Sequence, residues 1–197
     1  MTDLIDRLPK AELHAHIEGT VTPSLVRQLA ARNDMAPPED LFDGADSYAW
    51  TDFLGFLDAY DKASACITTP ADYRDLTYDY LRRAASEGAV YVEMFSSADH
   101  AQMSGMPYAA MMEGIAAGID QAAAELGVTG RIILTCVRHL GPDEAVKTAR
   151  LLTDEPHPYV IGFGMGGDEN AHAMKDFYPA YKLAVDAGYP CTVHAGE

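Results

Sequence analysis

Three histidines and one glutamate stand where they could share one reaction. Glu12-Leu13-His14-Ala15-His16-Ile17-Glu18-Gly19 alternates apolar and polar positions, which is a strand pattern. Residues two apart on a strand project to one face, so His14 and His16 stand side by side. Two neutral imidazoles at that spacing can hold one metal ion. His-x-His alone is a weak signal, and a pair of packed or exposed histidines is the plainer reading. The other end of the chain shifts the balance, because a second strand closes on His194-Ala195-Gly196-Glu197. Three imidazoles with a carboxylate that is not a ligand make a hydrolytic metal site in outline. A third stretch, Gly162-Phe163-Gly164-Met165-Gly166-Gly167, is followed by Asp168 and Glu169. Those acids would repel a phosphate, so a flat, uncharged ligand is expected to approach the backbone there.

These residues need a scaffold that brings distant strand ends together. Near-continuous apolar strands are expected at 89–97, 131–137, 159–167 and 191–194, besides the one near residue 13. Helices are expected between them, at 107–126, 143–152 and 173–187. Thr22-Pro23 and Thr69-Pro70 are helix-start signals, and another helix begins near Thr51. Residues 33–46 read as a loop. Two architectures fit this alternation: an open doubly wound sheet, or a (β/α)8 barrel seen through its fifth strand. No Gly-x-Gly-x-x-Gly follows the first strand, which weakens the dinucleotide-binding version. In a parallel barrel the reactive groups sit at the carboxyl ends of the strands, and His14, His16, Gly167, Asp168 and His194 all fall there. The chain stops directly after a strand, and the reading expects about three further βα units beyond residue 197.

Bulk properties narrow the function classes. With 197 residues, 48% of them hydrophobic, the chain can build one sizeable core. Its net charge of −16 repels nucleic acid and anionic membranes, so neither is expected as a partner. Cys66, Cys136 and Cys191 are odd in number and contain no Cys-x-x-Cys, which fits reduced thiols in a cytoplasm. The first residues lack the apolar run of a signal peptide. No apolar run reaches the ~20 residues of a membrane span.

Five segments carry a resemblance: Leu8-Pro9-Lys10-Ala11-Glu12-Leu13-His14-Ala15-His16, Tyr91-Val92-Glu93, Cys136-Val137-Arg138-His139, Gly166-Gly167-Asp168-Glu169 and His194-Ala195-Gly196-Glu197. In order and spacing the chain resembles the adenosine deaminase family of the amidohydrolase superfamily. The resemblance implies an α/β fold, a (β/α)8 TIM barrel of the metal-dependent hydrolase type. Residues 1–197 would be the N-terminal portion of that single catalytic domain. It implies one zinc ion per subunit on His14, His16 and His194, and Glu197 as the catalytic proton donor. It also implies substrate binding by His16, by Glu18 on the sugar side, and by the backbone of Gly167. A later His and a pair of Asp residues would lie beyond Glu197.

The implied reaction is zinc-dependent hydrolytic deamination of adenosine and deoxyadenosine to inosine and ammonia, in purine salvage. Hydroxide attacks C6 of the purine while Glu197 protonates N1 and later helps ammonia depart. The zinc deaminases built on His-x-Glu with Pro-Cys-x-x-Cys are a different design, absent here. The expected partner is a small purine nucleoside or base, and a homo-oligomer is compatible with the sequence.

Two positions depart from the nucleoside-deaminase pattern. Position 18 is Glu where Asp is frequent, and Phe95 stands where Arg is frequent. Both changes occur in relatives acting on free adenine or another 6-aminopurine, so adenine deamination is the nearest alternative. A different His-x-His metal hydrolase, or a non-catalytic purine-binding homologue, are alternatives of other classes. Phe53, Leu54, Phe56 and Leu57 resemble the family's hydrophobic gate over the pocket or read as a helix face packed on the barrel, and both roles are compatible. Asp168 reads as closer to the chemistry than Glu169. Glu93 reads as a buried, paired structural carboxylate and His139 as a residue of the mouth. His100, His157 and His172 read as surface residues in loops.

Overall fold

The computed structural model describes residues 2–196, and the alternation around His14 becomes strand β1, Lys10–His16. A short helix α1, Thr2–Arg7, precedes it. Three helices follow: α2 (Pro23–Arg32), α3 (Phe53–Ser64) and α4 (Pro70–Ser86). Then come β2 (Ala89–Ser96), α5 (Ala98–Met103), α6 (Tyr108–Leu126) and β3 (Thr129–Val137). The last elements are α7 (Pro142–Asp154), β4 (Val160–Gly166) and α8 (Tyr178–Asp186).

Local chemistry places the helix starts. The Thr22 hydroxyl accepts the Leu25 amide at 3.2 Å. At Thr69 the capping is reciprocal: its hydroxyl accepts the Asp72 amide at 3.2 Å, and the Asp72 carboxylate accepts the Thr69 amide at 2.9 Å. Asp52 caps α3 by accepting from the Gly55 amide at 2.8 Å. The expected helix over 173–187 is shorter than read. A 3-10 turn, Met174–Phe177, precedes α8, whose first turn takes Pro179, a residue suited to a helix start. Helix α5 lies in a stretch read as loop.

The strands pair in parallel in the order β1-β2-β3-β4. Each strand lies beside its successor, as successive βα units of a (β/α)8 barrel do. A doubly wound sheet would reverse direction at its switch point. The five strands read from the sequence become four ladder strands and one looser edge. Cys191 makes a single parallel bridge to Phe163, and the His194 amide donates to the Met165 carbonyl at 3.0 Å. Among the described residues this edge pairs with β4 through one bridge and the few bonds around Phe163 and Met165, too few to count as a full ladder strand.

The sheet separates core from site. Val92, Met94, Ile132 and Leu134 join one buried cluster with Met111, Ile115 and Ile119 of α6. Phe95 and Ile133 alternate with them and take the opposite face. Outside the sheet, α6 packs on α4 through glycine. A Cβ at Gly114 would overlap the Pro70 carbonyl oxygen and lie 2.9 Å from Tyr73 Cβ. Gly114→Ala is therefore expected to destabilise by about 1–3 kcal/mol, overriding the gain of nearly 1 kcal/mol that alanine brings to a helix. Thermal melting checks this; an unchanged or raised Tm would contradict it. No helix among the described residues is long and apolar enough to cross a membrane.

Candidate functional site

The carboxyl end of β1 and the chain after Cys191 bring three imidazoles to one point. His194 Nε2 lies 2.7 Å from His14 Nε2 and 2.8 Å from His16 Nε2. The donor atoms of all three lie within 4.8 Å of one another. A ring nitrogen carries either one hydrogen or one lone pair, so one directed bond is its capacity. Two close contacts at a single nitrogen exceed that capacity. A cation at the centre would take one lone pair from each ring, so the donor set fits a metal ion.

The surroundings of His16 favour its neutral ring, the form that binds a metal ion. Burial, reinforced by the neighbouring His194, His14 and His100, lowers the pKa of His16 to about 3. Phe95 lies beneath the rings, stacked on His14 at 4.4 Å and on His16 at 5.0 Å between centroids. Phe95 thus supports the imidazoles from below, at a position where a cation would oppose the metal. Close packing extends to the glycines at the carboxyl end of β4. A Cβ at Gly166 would lie 3.2 Å from His16 Cε1, and Gly167 has φ +100°, where only glycine is unstrained.

The histidines open into a cavity of about 380 Å³, within the range of small-molecule sites. Phe53, Phe56, Leu57 and Tyr60 of α3 line it, with Gly166, Gly167 and His139. Of the four residues read as a gate, Phe53, Phe56 and Leu57 line the cavity, the two phenylalanine centroids 6.2 Å apart, whereas Leu54 does not and is exposed. The cavity wall is largely apolar, which suits a flat heterocycle. Glu197 lies outside the described residues.

Glu18 is placed differently from the sequence expectation. Its side chain is buried and does not line the large cavity. Tyr60 donates to Oε2 at 3.0 Å, while Tyr73, Ser96 and the Ser97 amide donate to Oε1 at 3.2, 2.9 and 3.2 Å. The carboxylate is thus satisfied inside the protein. Asp168 does not line the cavity either: its Oδ1 accepts the Asn170 amide at 2.9 Å, a local turn. Glu93 is paired, accepting from the Tyr91 hydroxyl at 2.8 Å, but it is half-buried rather than buried.

The reading of His100 as a surface residue is overturned. It is 8% exposed, lies on α5 and lines the cavity. Its Nε2 is 2.9 Å from Asp61 Oδ1, which ties α5 to α3. Ser97 caps α5, and its position just after a strand was the available signal. Tyr60 was also missed, since its approach to Glu18 and His16 depends on how α3 crosses β1.

Comparison with known proteins adds independent findings. The family model described as adenosine deaminase matches residues 9–197. The adenine deaminase of Chelativorans sp. is 44% identical over 190 residues, covering 96% of this chain and 58% of that protein. The adenine deaminase of Sinorhizobium medicae is 39% identical over the same coverage. Among solved structures, adenine deaminase from Arthrobacter aurescens superposes with a TM-score of 0.85 at 29% identity, covering 95% of this chain and 57% of that one. An amidohydrolase from Burkholderia ambifaria with bound zinc gives 0.87 at 30% identity, covering 99% and 54%. The chain thus spans less than two thirds of the length of these relatives.

Proposed function

The chain belongs to the adenosine deaminase family, and on that premise we propose that it serves the zinc-dependent hydrolytic deamination of a 6-aminopurine, with free adenine preferred. The single observation that carries the reading is the convergence of His14, His16 and His194 on one point of a cavity at the carboxyl end of a parallel sheet. The preference for adenine over adenosine, reversed from the sequence expectation, is supported by relatives of 36–44% identity that are named adenine deaminases. It is also supported by the enclosure of Glu18, which leaves that carboxylate unable to greet a sugar hydroxyl.

In this reading His14, His16 and His194 hold one zinc ion, with Phe95 fixing the ring planes. Bound zinc supplies Lewis acidity that makes water nucleophilic near neutral pH. Gly167 offers its backbone to the purine edge. Phe53, Phe56 and Leu57 exclude bulk water from the ring. Glu197 delivers a proton to N1, which makes C6 electrophilic, and later assists the departing ammonia. Adenine and water would yield hypoxanthine and ammonia. The described fold would be the N-terminal portion of one barrel domain, whose later His and Asp pair lie beyond residue 197. Purine salvage in the cytoplasm is the setting that fits this chemistry.

The test is ammonia release by the complete, zinc-loaded protein, with adenine and adenosine offered separately, before and after chelation. Chelator-sensitive release from adenine is expected, with adenosine at least about tenfold slower, a barrier difference near 1.4 kcal/mol. Glu197→Gln is expected to lose about 10²–10⁴-fold in kcat, the usual contribution of a positioned proton carrier. Silence on both purines would overturn the reading. Preference for adenosine would keep the reaction and reverse the substrate.

A further inference from the structure

We propose that Glu169, braced by Arg138, is a positioning residue for His194; the inference rests on the metal-centre reading above. Glu169 lies in the segment after β4. Both of its carboxylate oxygens accept the Gly196 amide, at 3.0 and 3.1 Å. Arg138, just past β3, approaches the same carboxylate with Nη1 3.8 Å from Oε1. Arg138 is itself buried and fixed, since Nε and Nη2 donate to the His172 carbonyl at 3.2 and 2.9 Å.

The result is a chain of contacts across three successive strand ends: His172 carbonyl, Arg138 guanidinium, Glu169 carboxylate, Gly196 amide. It matters because of what it brackets. The His194 amide is held to Met165 on β4, and the amide two residues later is held by Glu169. Between those two fixed points the backbone that carries the third imidazole has little freedom. His16 needs no such device, because it pairs with Phe95 in the β1–β2 ladder, and His14 is two residues away on the same strand. His194 stands at the end of the fifth segment's pairing with β4, after the Thr192 amide to Phe163 and with its own amide on Met165. A charged acceptor opposite a neutral amide is the stronger kind of hydrogen bond, suited to holding an edge.

The test uses apoprotein of the complete chain and titrates zinc against a competing chelator. Glu169→Ala is expected to weaken zinc binding about 10–100-fold, as loss of groups that orient metal ligands does. Glu169→Gln keeps an oxygen acceptor for the Gly196 amide and is expected to recover most of that loss. Zinc affinity for a folded Glu169→Ala within about threefold of wild type would overturn the inference while leaving the metal centre standing. Failure of wild type itself to bind zinc would instead bring down the metal-centre reading, and this inference with it. Amide exchange at Gly196 in the unaltered apoprotein is a second measurement that needs no variant. Slow exchange is expected, and exchange at the rate of an unprotected amide would overturn the clamp.

Discussion

His194→Ala should abolish turnover, lowering kcat/KM by at least about 10³-fold even with zinc in excess, because a Lewis acid worth several kcal/mol of transition-state stabilisation is lost. The side chain offers one of three convergent nitrogens, and its loss leaves two at a site that needs the full set. The fold should survive. The backbone link of residue 194 runs from its amide to the Met165 carbonyl, which alanine keeps. The imidazole is also half-exposed, so little packing is lost. Melting is expected within about 2–4 °C of wild type, the equivalent of ~1 kcal/mol for a chain of this size. Zinc content should fall in parallel with activity. A variant that keeps a tenth of wild-type activity would remove the metal from the mechanism. This outcome also separates an enzyme from a purine-binding homologue, in which ligand affinity would not follow zinc content.

The second large effect concerns Glu18 and falls on stability. Glu18→Ala is expected to cost about 3–5 kcal/mol, lowering Tm by roughly 10 °C. Four donors point at this carboxylate: two tyrosine hydroxyls, a serine hydroxyl and the Ser97 amide. Burial, with the Glu18 charge beside them, raises the pKa of Tyr60 and of Tyr73 well above the ordinary tyrosine value, so both hydroxyls stay protonated and donate. Removing the acceptor strands them where water cannot replace it, at about 1–3 kcal/mol for each buried group and less than additively. Glu18→Gln keeps one oxygen for the Ser97 and Ser96 donors and should lose far less. A sugar-contacting Glu18 predicts another outcome: unchanged Tm and weaker binding of nucleosides alone. Thermal melting beside adenosine inhibition constants distinguishes the two.

Sequence by itself determined what depends on neighbours along the chain. The two-residue spacing of His14 and His16 sets both rings on one face wherever the strand goes, because alternation is a property of extended backbone. The Thr22 and Thr69 caps act across three residues, so those helix starts were legible. The strand–helix alternation and the joint motifs led to the barrel class. The tertiary structure decided what depends on how elements cross. His14 and His194 are 180 residues apart, and only the strand order places their nitrogens 2.7 Å from each other. Glu18 reads as a ligand contact because it follows the strand that carries His14 and His16. Its direction is decided by Tyr60 and Tyr73, which arrive on α3 and α4. His100 read as surface because its partner Asp61 lies on another helix. Asp168 and Glu169 are adjacent in sequence and equivalent in charge. One closes its own turn and the other reaches the chain after His194, since the approach of Gly196 offers an amide to only one of them. Local spacing fixes where a side chain points relative to its own backbone. What it meets there is set by the packing of segments far away in sequence.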